Sequence, residues 1–276
     1  AHVLPLFFHY PKQGGQSMKI VKILLLIIAA LVLIIAAIAV STRLEGEKQY
    51  AAYAAATAEA LKAFPLKPYA VKEKYRHVRS LPLMDIAVSS STGERLARVN
   101  SLDATMLLFM KMYTLMIRPS YEYNLPVMSV DFIFLPFGKR MYVIEIIDPA
   151  KIDDPNKKLC YDTMKAAYAK VASLPSAGTR DWYKNFLTDF SIHAKAEKTD
   201  DAMLLAVYKA DLGAYIAMAQ NAQKLPPETS LKMKEGLEKY VSTLLSQGGP
   251  AVDVFKKILG EDGQKEYVRT VMFGLD

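Results

Sequence analysis

The chain has 276 residues, 52% of them hydrophobic, and a formal charge of +7, enough for one large domain or two small ones. Its single cysteine, Cys160, excludes an internal disulfide and a multi-cysteine metal site, and His2, His9, His77 and His193 show no metal-ligand spacing. The positive charge favours anionic lipid or acidic partners, and the lack of an aromatic–basic motif or finger spacing argues against nucleic acid.

Residues 1–17 read as an over-translated leader or a short disordered tail, because Met18 followed by Lys-Ile-Val-Lys resembles a natural start. Residues 23–40 then form an uncharged aliphatic run of 18 residues, just long enough to cross a bilayer. A cleaved signal would have a shorter apolar region and a clear small-x-small site. An uncleaved anchor over residues 18–46 is the preferred reading, with the body as residues 47–276. Lys12, Lys19 and Lys22 precede the run, and Arg43 and Lys48 follow it among glutamates, a balance that slightly favours an exported body.

Residues 50–64 are Ala-rich and helical by propensity. Lys67, Lys72, Lys74, Arg76 and Arg79 follow as a basic stretch, either a solvated face or a dock for lipid headgroups or an acidic protein. From residue 79 to 147 the texture is that of strands. "MDIAVSS" and "ERLARVNS" flank a Ser-Ser-Thr-Gly turn, and "MLLFMKMYTLMI" suits strand or helix. "NLPVMSVDFIFLPFGKRMYVIEII" reads as a hairpin turning at Pro136-Phe137-Gly138-Lys139, with Asp131 inside its first strand. Helices are expected after Asn156, with one more strand near His193, long helices over 200–220 and 228–247, and two short ones meeting at Gly260. This order predicts a central antiparallel sheet with helices on its faces.

Three stretches carry a resemblance. "RPSYEYNLPVMSVDFI", "DWYKNFLTDFSIHAKA" and "GGPAVDVFKKILGEDGQKEYVRTVMFGLD" lie in the order and spacing of motifs in ferredoxin-dependent bilin reductases. The likeness runs from about Arg79 to Asp276. It implies a three-layer α/β/α sandwich, an open-chain tetrapyrrole (bilin) held between the sheet and the C-terminal helices, and electrons delivered singly by external ferredoxin or another one-electron donor. No flavin or metal is implied. The acid of the family's Pro-x-x-x-x-Asp strand, the proton donor, falls on Asp131.

Strand alternation puts Ser129, Asp131 and Ile133 on one face. With the turn drawn as above, that face lies opposite Tyr142, Ile144 and Ile146, which makes Tyr142 and Ile144 substrate-wall candidates. An unpaired carboxylate there would be protonated or hydrogen-bonded. His193 and Arg180 complete the candidate substrate contacts, Arg180 through a bilin propionate. The chain departs from the family pattern at three points: "FMKMYT" lacks a histidine carried by some members, Gly249 stands where a second acid is common, and Val252 where an arginine follows Pro-Ala. Two functions follow: a membrane-anchored bilin reductase, or a non-catalytic tetrapyrrole-binding or accessory subunit of a membrane complex.

Overall fold

The computed structural model describes residues 14–275, so most of the expected leader lies outside the described residues. Helix α1 (Gly14–Leu61) opens it and runs unbroken from the apolar run into the Ala-rich stretch. The expected border at residue 46 is therefore no break in the backbone. Gly46 costs a helix about 1 kcal/mol relative to alanine, but a Cβ there would lie 2.6 Å from Lys111 Cβ. The glycine is what lets the helix touch the sheet. Residues 18–37 are exposed, Ile38 and Ala39 are half-buried, and Thr42 is buried.

The sheet comprises β1 (Lys67–Pro68), β2 (His77–Ser80) after a short helix α2 (Glu73–Arg76), β3 (Met84–Thr92), β4 (Arg98–Met106), β5 (Met110–Arg118), β6 (Val127–Phe134), β7 (Lys139–Ile147) and β8 (Ile192–Glu197). Every pairing is antiparallel, in the order β1-β3-β4-β5-β6-β7-β8, with β2 sharing the outer edge of β3. Short turns impose this meander. The ambiguous run "MLLFMKMYTLMI" holds the turn 107–109, by which β4 returns, and nearly all of β5.

Helices α3 (Pro155–Tyr168) and α4 (Asp201–Asn221) join the second half of α1 on one sheet face, around Tyr53, Tyr113, Phe132, Tyr142 and Tyr208. Each such side chain, fully buried, is worth roughly 2–3 kcal/mol. The other face is covered by α5 (Pro227–Gln247), α6 (Pro250–Glu266) and a final π-helical turn, Tyr267–Met272. The architecture is the expected three-layer sandwich. Gly260 interrupts α6 with φ +73°, where the sequence placed the meeting of two helices.

The basic stretch is not a free cationic face. Lys72 and Lys74 both pair with Glu266 (2.7 and 2.6 Å), Arg76 pairs with Glu73 (2.9 Å) and Arg79 with Asp85 (3.0 Å). Exposed pairs of this kind add little stability, and they offset part of the charge of the stretch, with Lys72 and Lys74 sharing one carboxylate.

Candidate active site

Asp131 lies near the middle of β6 and faces α5. Thr114, directly opposite on β5, donates its hydroxyl to Asp131 Oδ1 at 2.5 Å. Among the described residues no cation forms an ion pair with Asp131. The side chain keeps a small accessible surface, yet protein surrounds it closely enough for burial to dominate. Burial pushes its carboxyl up to about 7; the Thr114 hydrogen bond opposes this, the Glu145 charge adds to it, and His193 opposes it.

Glu145 and His193 stand beside it on β7 and β8. His193 Nε2 lies 2.9 Å from Glu145 Oε1, with only 13% and 14% of the two side chains exposed. From the helix layer, Tyr183 and Tyr240 face the two acids, and both hydroxyls are raised above the usual phenol value by burial first and by Glu145 and Asp131 next. Trp182 stacks on Tyr183 with ring centroids 4.0 Å apart, extending this aromatic wall. Toward the β4–β5 and β6–β7 turns the same sheet face is less covered. Met112, Ile133, Met141 and Val143 are half-buried there and form an apolar strip running up to Asp131.

The register corrects one expectation. Asp131 pairs with Val143, Ser129 with Glu145 and Phe132 with Tyr142. Tyr142 and Ile144 therefore point to the opposite face, where both are buried and the Tyr142 hydroxyl donates to the Leu204 carbonyl at 2.8 Å. The cause is the turn. It holds five residues, closed by Leu135 N–H donating to the Lys139 carbonyl, with Phe137 at φ +59° and Gly138 at φ +71°. One extra residue exchanges the faces of the partner strand. Glu145 and Val143, not Tyr142 and Ile144, thus share the surface of Asp131. His193 lies on the Asp131 face, against Glu145. Arg180 is occupied, donating to the Gln247 carbonyl (2.6 Å) and to Asp253 Oδ2 (2.5 Å). Thr114 and Tyr240 carry no motif that marks them, and Tyr183 lies in the second of the resembling stretches without being singled out by it. Thr114 was legible only as a β5 residue of the parity facing Asp131.

The chain is thus a three-layer sandwich whose antiparallel sheet carries a buried acid of raised pKa, Asp131, on one face. The family model for ferredoxin-dependent bilin reductase matches residues 53–274. A phycoerythrobilin:ferredoxin oxidoreductase from Prochlorococcus marinus (strain MIT 9211) is 22% identical over 234 residues, covering 79% of this chain and 90% of the relative. One from Synechococcus sp. (strain RCC307) is 21% identical over 168 residues, covering 58% and 63%. The crystal structure of phytochromobilin synthase from tomato in complex with biliverdin superposes with a TM-score of 0.67 at 17% identity, covering 79% of this chain and 80% of that one. The chain belongs to the ferredoxin-dependent bilin reductase family.

Proposed function

We propose that this chain is a membrane-anchored bilin reductase in which Asp131 donates protons to the bound pigment. The observation that carries this reading is the carboxyl raised to about 7 beside a half-buried apolar strip of the sheet, at the position the family motif assigns to the donor. Each two-electron reduction of a bilin takes two electrons and two protons. Ferredoxin gives electrons one at a time, so the protein's share is to hold the pigment and deliver protons. On giving up its proton Asp131 becomes a carboxylate beside Glu145, a like charge that favours rapid reprotonation. The Glu145–His193 pair lies on the same face and is the relay we assign. Met112, Ile133, Met141 and Val143 form the pigment's seat, with Tyr183 and Tyr240 above.

The anchor is the outer part of α1. Eighteen uncharged residues at about 1.5 Å each span about 27 Å, close to a hydrocarbon core, and this part of the helix is unburied. Helix α4 is also apolar, but half of its most apolar stretch is buried and it belongs to the core. The lysines before the run favour an exported body. Ferredoxin dependence requires the body to share a compartment with the carrier, and this requirement outweighs the small charge balance around the run. We place the body with the carrier. Protease access in intact cells separates the two orientations.

A second reading, binding without turnover, draws support from Gly249, Val252 and the occupied Arg180. The test uses the full chain in detergent with biliverdin. A shifted absorbance band reports binding, and bleaching of that band on adding ferredoxin, its reductase and NADPH reports reduction. Asp131→Asn is expected to bind and to reduce about 100-fold more slowly or worse. A variant reducing at the wild-type rate removes Asp131 from the mechanism, and a wild-type chain that binds without bleaching selects the second reading.

A further inference from the structure

Three hairpin tips meet at one end of the sheet. The register Met84↔Met106 and Met106↔Met110, continued by Ile133↔Met112 and Phe134↔Arg140, brings the turns after β2, β4 and β6 to the same edge. These turns present Leu81, Leu83, Leu107, Leu108 and Phe137, each between 44% and 78% exposed. Leu107, Leu108 and Phe137 have φ of +48°, +69° and +59°. Such positions suit glycine or asparagine, and a tip facing only water would gain from either.

Helix α1 leaves the body at this same end. Gly46 meets Lys111 and Phe134, Arg43 donates to Thr105 at 3.0 Å, and the turn Pro136–Gly138 packs on the helix. Cover on α1 begins at Ile38, inside the uncharged run that ends at Val40. The tips therefore reach the level on α1 at which hydrocarbon would begin.

The geometry points to a lipid-docking rim: Leu81, Leu83, Leu107, Leu108 and Phe137 insert into the headgroup–acyl boundary of the membrane that α1 crosses. This rests on reading the outer part of α1 as membrane-spanning. An apolar ring around the exit of a spanning helix buries surface that water would otherwise meet, and it accounts for bulky apolar residues at left-handed turn positions. Leu231, 53% exposed on α5, provides the contrast. It lies on the helix whose Gly236 packs against Pro149, beyond the other end of β7.

The test uses the full chain in vesicles of phosphatidylcholine and phosphatidylglycerol (3:1). Cys160→Ala removes the native thiol, and single spin labels are placed through Ile28→Cys, Leu108→Cys, Phe137→Cys and Leu231→Cys. Collision with oxygen, which enriches in lipid, is compared with collision with a water-soluble nickel chelate. The expected oxygen-to-nickel ratio is severalfold higher at 28, 108 and 137 than at 231. A high ratio at 28 with 108 and 137 matching 231 overturns the rim and leaves the anchor standing. A water-like ratio at 28 overturns the anchor and the rim with it. Labels at 108 and 137 shielded from both reagents indicate a second copy of the chain on the tips and overturn the lipid assignment.

Discussion

Thr114 Oγ1 and Asp131 Oδ1 meet at 2.5 Å across β5 and β6, the one side-chain hydrogen bond of this acid among the described residues. It opposes the burial that raises Asp131, while Glu145 reinforces it. The proton of Asp131 is thus held by a balance in which each contributor can be removed singly.

Pigment reduction is expected to fall as pH rises through about 7, where Asp131 loses its proton. Single-turnover rates between pH 5.5 and 9 measure this limb. A rate flat across that interval removes Asp131 as the donor.

Two substitutions should move the limb in opposite directions. Thr114→Val deletes a bond that favours the carboxylate and shifts the limb to higher pH. Glu145→Gln deletes a like charge and shifts it lower. Each shift is expected to be on the order of 0.5–1 pH unit, as befits single neighbours of a buried acid. Carboxyl stretching bands followed by infrared titration give the same answer without turnover.

Stability should depend on pH through two acids. Asp131 and Asp211 are both raised from 3.8 to about 7 by burial. A carboxyl with a higher pKa folded than unfolded binds more protons in the folded state between those values. Stability therefore drops as pH climbs from about 4 to about 7, by at most about 4 kcal/mol per group. Asp211 Oδ1 is buried without a hydrogen-bond partner among the described residues. Asp211→Asn should raise the urea midpoint at pH 8 and change it little at pH 4.

Gly46→Ala should destabilise the protein although alanine is the better helix former. The new methyl would stand 2.6 Å from Lys111 Cβ, and Lys111 is held by Asp103 and Glu47. The expected net loss is about 1–3 kcal/mol from overpacking, read as a lower thermal midpoint. An unchanged or higher midpoint would mean that α1 is free to lift from β5.

Much of the architecture was legible because apolar patterning and turn chemistry agreed. The β6–β7 hairpin, the break at Gly260 and the long C-terminal helices follow from alternation, glycine and proline. The site was legible only in part. Asp131 stood out as an acid in a buried strand, but its neighbours depended on whether the next turn held four residues or five. A phenylalanine in a left-handed conformation gives no local sign of that extra residue, so the reading placed Tyr142 and Ile144 where Val143 and Glu145 stand. Tyr183 and Tyr240 reach the acids from a 3-10 turn and a helix far along the chain, a proximity that only tertiary packing creates. The continuity of α1 was hidden for a similar reason: the aliphatic run and the Ala-rich stretch read as separate segments, and the sheet packed against Gly46 is not visible in the sequence.

Because α1 runs unbroken from the aliphatic run past Tyr53, no jointed tether carries the body. Its heading is set by the angle at which a single rod, about 70 Å long at 1.5 Å per residue over 48 residues, stands in its surroundings. If the outer part of α1 spans a bilayer, the thickness of that bilayer, which tilts such rods, sets the angle at which the sheet face bearing Asp131 meets it.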